Sequence, residues 1–309
     1  MRTSLVKVVI FLVIMASIGN AEDSLSVYLK KAGGAFGAND YPRALELFHR
    51  ALDFDSLNVN ALRNLGVLYS MKKDYARSLE YLKKALAQDS TDPEIFNSLG
   101  ITYSSIGDTV KAISNYRRAV SMEGTNLDFL HNLGSICLTS GRHDEARKAL
   151  EKMIELDTTD TEAHFLMGNI YLTRKDYVKA EQFFDIAAER SPKQPRYLFY
   201  QAQAKDRLKK RDEAEVIYKK ALELYPDYFE AHQRLGVLYV IQEKFPEALV
   251  QFREAAKIRP GDIDTQVFLG AALMYNNMTE EAEKVYDSLV VRNPEAAQKM
   301  LNLIQPEGE

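Results

Sequence analysis

A period of 34 residues runs through most of the chain and constrains the fold more than any other feature. Steps of 34 residues from Gly134 reach a small residue every time: Ala32, Gly66, Gly100, Gly168, Ala202, Gly236 and Gly270. Six of the chain's 15 glycines therefore share one repeat position. The period continues from Leu25 to Ala296 without an insertion. Such regular self-similarity is the signature of stacked repeats, each of which is one small supersecondary unit.

Two further positions indicate that each unit is a helical hairpin. Twelve residues after the glycine position lies a second small residue: Ala44, Ser78, Ala112, Ala146, Ala180, Ala214, Ala248 and Ala282. Four residues later the side chain is large: Phe48, Leu82, Tyr116, Leu150, Phe184, Tyr218, Phe252 and Tyr286. Small residues let two helices approach closely, and the large residue fills the space beside them. Proline ends a helix, and the last four repeats close on Pro192, Pro226, Pro260 and Pro294.

At these positions the chain resembles eight consecutive members of the tetratricopeptide repeat family, with repeats starting at residues 25, 59, 93, 127, 161, 195, 229 and 263. The resemblance implies an all-α fold, a right-handed α-solenoid superhelix of helix-turn-helix repeats with a concave groove lined by the first helix of each repeat. It also implies a non-catalytic scaffold that holds a protein or peptide partner. We predict a solenoid over residues 22–296 and a capping helix and tail over residues 297–309.

The N-terminus has the pattern of a secretory signal peptide over residues 1–21. Arg2 and Lys7 precede the apolar run VVIFLVIMASI, and GNA supplies small residues before a cut after Ala21. A membrane-spanning helix needs about 20 apolar residues, so we predict cleavage and no stable membrane span afterwards. The protein is then exported to a periplasm or to the outside of the cell, with a bacterial source favoured. The single cysteine excludes an internal disulfide.

Charge and composition exclude other classes of function. The net charge of -4 leaves no excess of Lys and Arg for a nucleic-acid phosphate backbone. No segment has the context of a nucleotide-binding loop, and we predict neither a cofactor nor a metal. Asn277 begins the sequence Asn-Met-Thr, which accepts a glycan only if the host modifies exported proteins.

Residues 131–146 combine several side chains that elsewhere bind metals or act as nucleophiles. His131 and Cys137 are six residues apart and differ by about 240° around a helix, so they do not share a face. Cys137 occupies the repeat position of four tyrosines and is predicted to be core: Tyr69, Tyr103, Tyr171 and Tyr239. We predict packing roles for His143, His164 and His232 as well, because they replace bulky residues of other repeats. A hydrolase using Cys137 is the minor alternative, and it requires a reactive thiol.

Positions 2, 5, 6, 9, 12 and 13 of each repeat are spaced to line the predicted groove. The partner-binding residues predicted there are Arg63, Asn64, Asn97, His131, Asn132, Phe165, Asn169, Phe199, Tyr200, Gln203 and Arg234. Amide side chains can donate to and accept from the backbone of an extended peptide. Aromatic side chains either anchor a partner or pack against the adjacent repeat, and the sequence leaves these two alternatives open.

Acidic residues recur at position 2 of the repeats: Glu94, Asp128, Glu162, Glu230 and Asp264. They could attract a basic peptide, but acids are favoured in the first turn of any helix by its dipole. No three consecutive repeats carry the residues with which this family clamps a C-terminal carboxylate. The sequence therefore predicts an exported scaffold or adaptor, with a place in a cell-envelope or secretion assembly. A glycan-binding or glycan-processing accessory is the alternative, and the oligomeric state stays open.

The sixth repeat departs from the pattern of its neighbours. Ala202 and Lys205 stand where the adjacent repeats have glycine and tyrosine. Because a methyl group and a charged side chain replace these residues, we expect the contact between the two helices of this repeat to be looser or rotated.

Overall fold

The computed structural model describes residues 24–304, and within this range every regular element is a helix. The predicted signal peptide and the end of the predicted tail lie outside the described residues. No helix in the described range has the length and apolar character needed to cross a bilayer.

Seventeen helices occur within the described range, and their starts repeat every 34 residues. Residues 24–37 form α1. The other first helices of the repeats are α3 (Val59–Met71), α5 (Pro93–Ile106), α7 (Leu127–Thr139), α9 (Thr161–Thr173), α11 (Pro195–Arg207), α13 (Phe229–Ile241) and α15 (Ile263–Tyr275). The second helices are α2 (Tyr41–Phe54), α4 (Tyr75–Gln88), α6 (Thr109–Met122), α8 (His143–Leu156), α10 (Tyr177–Arg190), α12 (Arg211–Leu224), α14 (Phe245–Ile258) and α16 (Thr279–Arg292). The last helix is α17 (Pro294–Ile304), which begins before the predicted boundary at residue 297 because proline is accepted in the first turn of a helix.

The turn inside each hairpin repeats the same local chemistry. One residue per turn has a left-handed backbone: Asn39, Lys73, Gly107, Gly141, Lys175, Lys209, Glu243 and Asn277. In four repeats the next residue is an aspartate whose carboxylate accepts from a backbone N–H in the first turn of the second helix: Asp40, Asp74, Asp108 and Asp176. Such capping satisfies an N–H that has no partner within the helix, so each second helix starts at a fixed point.

Close contact between the two helices of a hairpin depends on the glycine position. A Cβ atom added to Gly168 would lie 2.5 Å from the ring of Phe184. At Gly100 it would lie 2.6 Å from the ring of Tyr116, and at Gly236 it would lie 2.7 Å from Phe252. These distances are below van der Waals contact, so the large residue of the second helix occupies the space that a side chain would need. Pairing of the small and large repeat positions is thus confirmed.

The helices divide into two compact units, the first ending at Thr158 and the second beginning at Thr159. In the first unit, one core cluster is built around Phe48 and Leu65, and a second around Leu82 and Ile95. In the second unit, one cluster includes buried residues from Phe199 to Met300. Helix α17 packs on α15 and α16. There the atoms nearest to the glycine position of the last repeat belong to Met300.

The expectation of loose packing in the sixth repeat is wrong. Helix α11 contacts α12 as extensively as α13 contacts α14, and Ala202 is completely buried. The reason is an ion-pair cluster. Lys205 Nζ lies 2.7 Å from Glu181 Oε1 and 3.0 Å from Glu213 Oε2. Lys210 Nζ donates to both oxygens of Glu181, each at 2.8 Å. Burial raises the pKa of Glu181, but hydrogen bonds from the two lysines outweigh it and lower that pKa.

The next repeat uses the same arrangement with a tyrosine. Glu215 accepts a hydrogen bond from Tyr239 Oη at 3.3 Å and from Lys244 Nζ at 2.8 Å. Lys219 Nζ donates at 2.7 Å to Oε1, the same Glu215 oxygen that accepts from Tyr239, whereas Lys244 donates to Oε2. Burial raises the pKa of Glu215, but the hydrogen bonds from both lysines lower it to about 2. Lys205 therefore stands at the position of a tyrosine, Tyr239, that also contacts a glutamate of the preceding repeat, the half-buried Glu215.

Candidate binding face

In each unit the first helices of successive repeats lie side by side. Helix α5 contacts both α3 and α7 in the first unit, and α13 contacts both α11 and α15 in the second. We call the surface formed by these helices, on the side away from the second helices, the first-helix face of the unit. All eleven predicted partner-binding residues belong to first helices.

Two asparagine side chains bond to each other on the first-helix face of the first unit. Asn132 Nδ2 donates to Asn97 Oδ1 at 2.9 Å, and the two residues hold positions 6 and 5 of successive repeats, on α7 and α5. Asn97 is buried, whereas Asn132 is half-buried. Because an amide has two N–H groups and an oxygen with two lone pairs, this bond leaves further hydrogen-bonding capacity on Asn132.

The other predicted residues of the first unit are held by bonds within their own helix or to the N-cap of the next first helix. Arg63 Nη1 pairs with Asp92 Oδ2 at 2.6 Å. Asn64 Nδ2 donates to the backbone oxygen of Asn60 at 2.8 Å, one turn earlier on α3. His131 Nε2 lies 3.4 Å from the Ser135 hydroxyl on its own helix. These contacts fix the side chains at the surface, and all three predicted residues are half-buried.

Two of the predicted aromatic residues in the second unit are buried. Phe165 is 4% exposed and Phe199 is 6% exposed. The Phe165 ring centroid lies 5.0 Å from that of Tyr197, and the Arg196 guanidinium lies 4.4 Å from the Phe165 centroid. Packing against the adjacent repeat, rather than anchoring a partner, is therefore the role of Phe165 and Phe199. Tyr200 keeps part of its ring at the surface.

The polar residues predicted in the second unit differ in whether their side chains have a hydrogen-bond or ion-pair partner. Asn169 Nδ2 donates to the Phe165 backbone oxygen at 3.1 Å. Gln203 Oε1 is buried and has no hydrogen-bond partner within the described structure. Arg234 is exposed, and no carboxylate of the described residues pairs with it. Gln203 and Arg234 are thus the predicted residues with polar groups that the fold does not use.

Sequence reasoning missed a group of charges beside Arg234. Burial raises the pKa of Asp206, which is half-buried on α11, while Arg207, Arg211 and Arg234 act in the opposite direction. All three arginines therefore lie near enough to this carboxylate to favour its charged form. Asp206 and Arg207 hold positions 12 and 13 of their repeat, so the groove spacing alone could have identified them.

Sequence reasoning also missed an apolar pocket on the same face. It has a volume of about 190 Å³ and is lined by Val237, Val240, Ile241, Phe268, Ala271, Tyr275 and Leu303. Tyr275 Oη donates to the backbone oxygen of Leu303 at 2.7 Å, which fixes the end of α17 beside the pocket. Six of the seven lining residues hold positions 6, 9, 12 or 13 of the last two repeats. The spacing predicted their direction, but not that their side chains would leave a cavity.

Acidic residues at position 2 of the second unit are neutralised by the fold. Glu162 pairs with Arg196 at 2.5 Å, and Asp264 pairs with Lys299 at 2.7 Å. Glu230 pairs with Arg259 at 2.9 Å. In this unit the acids therefore serve to join neighbouring helices, which leaves little free negative charge to attract a basic peptide.

Cys137 is core, as predicted, because its side chain is completely buried. Burial, followed by the nearby Glu145 carboxylate, raises the pKa of the thiol to about 12, so almost no thiolate forms near neutral pH. His232 bonds to Gln251 and to the Pro226 backbone oxygen, each at 2.8 Å. Within the described residues no three His, Cys, Asp or Glu side chains are grouped as metal ligands.

Sequence profiles described as tetratricopeptide repeat match residues 29–93, 81–114, 107–164, 138–205, 195–228 and 217–250. Together they cover residues 29–250 without a gap, which is more than half of the chain. The chain belongs to the tetratricopeptide repeat family. A comparison with curated proteins gave no match.

Solved structures of tetratricopeptide repeat proteins share this fold. A protein from Parabacteroides merdae is 17% identical, with a TM-score of 0.60, over 81% of this chain and 99% of its own. The C-terminal part of a protein from Cytophaga hutchinsonii is 22% identical, with a TM-score of 0.61, over 78% of this chain and 99% of its own. YrrB, described as having an unusual peptide-binding site, is 23% identical, with a TM-score of 0.53, over 61% of this chain and 97% of its own. These identities establish the fold alone.

Proposed function

We propose that this protein is an exported, non-catalytic scaffold that binds a protein or peptide partner on its first-helix faces. The tetratricopeptide repeat fold is typical of protein-interaction scaffolds. The proposal rests on groups of the first-helix face that make no hydrogen bond or ion pair within the described residues, and on a cavity that no side chain fills. On the second unit these are the Arg234 guanidinium, the Gln203 carbonyl oxygen and the apolar pocket.

Export is the second part of the proposal, and its basis is the pattern of residues 1–21 alone. An exported scaffold would act in a cell-envelope or secretion assembly. Fractionation of the producing cells, with an antibody against the folded repeats, tests this part directly. Recovery of the protein from the cytoplasm at its full length would contradict export without affecting the binding proposal.

The glycan-binding alternative has less support than binding of a protein or peptide. Aromatic side chains grip sugar rings with their faces, and Phe165 and Phe199 are buried. We therefore place the partner among proteins and peptides. The similarity to YrrB is consistent with this choice, because the site described for that protein binds a peptide.

Site-specific photo-crosslinking tests where the partner binds. A photoreactive phenylalanine analogue is placed at Asn64, Tyr200 or Arg234, each at the surface of a first helix. Matched controls carry it at Val110 or Val216, which are 74% and 66% exposed on second helices. After irradiation in an envelope extract, the first-helix positions should give the same protein adduct and the second-helix positions should not. Equal adduct formation at both sets of positions would remove the proposal.

A further inference from the structure

The first-helix face of the second unit carries two exposed arginines, Arg207 and Arg234, that lie outside the ion pairs of the described residues. Its acidic residues at position 2 are each engaged by a cation, as described above. Arg207 and Arg234, by contrast, are exposed and form no ion pair within the described residues. Arg207 is on α11 and Arg234 is on α13, two helices that contact each other. An arginine fork presents several parallel N–H donors, so this face is suited to a carboxylate from outside the chain.

The apolar pocket lies on the same helix as one of these arginines. Val237 and Ile241 line the pocket, and they follow Arg234 by three and seven residues on α13. They therefore share its face, about 4.5 and 10.5 Å farther along the helix axis. Ile241 is 47% exposed at the pocket rim. The pocket volume of about 190 Å³ exceeds the cavity of about 150 Å³ that accepts a benzene ring in another protein.

We propose that the second unit binds an acidic and apolar peptide segment of a partner protein, with a carboxylate on Arg234 and a large apolar side chain in the pocket. This inference rests on the proposed function and names the chemistry of the partner. In an extended peptide, residues two positions apart point to the same side and are about 6.6 Å apart. That spacing fits the distance between Arg234 and the pocket. The segment therefore carries Asp or Glu two or three positions from Phe, Leu, Ile or Met.

Selection from a random peptide library tests the proposal without a known partner. Twelve-residue peptides displayed on phage are selected on the immobilised full chain at low ionic strength. We expect enrichment of an acid two or three positions from a large apolar residue. Selection on Arg234→Gln should lose the acid and keep the apolar residue, and selection on Ile241→Gln should do the reverse. Arg118→Gln removes an exposed arginine from the second helix α6 and serves as the matched control, with enrichment unchanged.

Affinity measurements on one selected peptide then separate the two contacts. Replacing its acid with glutamine and replacing Arg234 with glutamine should each weaken binding about tenfold. The two changes together should weaken it no further, because they remove the same interaction. Binding should also weaken with added salt, and the glutamine peptide should show little salt dependence. Circular dichroism of both variants checks that they fold, which is expected because both side chains are exposed.

Several results would overturn the inference. These are no enrichment, enrichment of basic peptides, and enrichment that Arg234→Gln and Ile241→Gln leave unchanged. A concentration-dependent dimer abolished by Ile241→Gln would make a second copy the occupant instead. A chain ending at Ile304 that bound all peptides more tightly would make its own tail the occupant. If any of these occurs while crosslinks still map to the first-helix faces, the proposed function stands and only this inference fails.

Discussion

One substitution, glycine to alanine, is expected to have opposite effects at two places in this chain. Gly34 lies within α1 at an exposed site, and an added Cβ atom would meet nothing within 4 Å. Gly168 lies within α9, where the added atom would be 2.5 Å from the Phe184 ring. In both helices alanine is favoured over glycine by about 1 kcal/mol. The difference between the sites is therefore the close contact alone.

The magnitude at Gly168 follows from how little Phe184 can move. Its side chain is completely buried, and its ring centroid lies 5.7 Å from that of Phe165 and 5.6 Å from that of Tyr200. Forcing extra atoms into a packed core costs about 1–3 kcal/mol, and this confined ring places the cost near 3. After the gain in helix propensity, Gly168→Ala should destabilise by about 2 kcal/mol. Gly34→Ala should stabilise by about 1 kcal/mol.

Hydrogen exchange measured by mass spectrometry suits this test, because it reports the local free energy of opening for each helix pair. Repeat proteins do not have to unfold in one step, so a single melting temperature would average over the units. Exchange should slow in α1 and α2 of Gly34→Ala, and it should accelerate in α9 and α10 of Gly168→Ala. Adding Phe184→Leu should reduce the cost of Gly168→Ala, because leucine is smaller and can shift its rotamer.

A stabilising effect of Gly168→Ala equal to that of Gly34→Ala would refute the reasoning. It would mean that the close approach of the helices does not limit the residue at this position. Alanine is compatible with this repeat position elsewhere in the chain, because Ala32 and Ala202 hold it opposite large residues and are fully buried. A hairpin can therefore be built around alanine, and we do not expect Gly168→Ala to unfold the unit.

Three other predictions concern buried and charged groups. Lys205→Met should destabilise the second unit by about 3 kcal/mol, because it removes one partner of buried Glu181. The control Lys257→Met breaks an exposed ion pair and should cost under about 0.5 kcal/mol. Urea titrations of the two variants compare their free energies of unfolding. Stability owed to Glu215 should be complete above its unfolded pKa of 4.5 and lost as pH falls toward its folded pKa of about 2, and Glu215→Gln should flatten urea midpoints measured across that window. Cys137 should resist a thiol reagent until denaturant is added, and rapid labelling of the folded chain would restore the nucleophile alternative.

The fold was predictable because its information is repeated. A single hairpin with Gly168 opposite Phe184 would be weak evidence, but the same pair of small and large positions recurs through the chain. Each repeat packs its two helices in the same way, so similar residues recur at equivalent repeat positions. Lys205 shows the limit of this reasoning. Because Lys205 differs from the tyrosines at this repeat position, the sequence predicted a loose contact. The prediction failed because Glu181, in the preceding repeat, binds Lys205, and only the structure identifies this partner.

The binding face was less predictable because its chemistry depends on what the fold leaves unused. Repeat spacing placed Phe165 and Arg234 on the same kind of surface, but it could not distinguish a ring covered by Tyr197 from a guanidinium without a partner. The acids show the same ambiguity, since Glu162 and Asp264 are consumed by ion pairs between helices. A contact surface is defined by residual polar groups and residual volume. Both depend on which side chains make internal contacts, and these side chains differ from one repeat to the next.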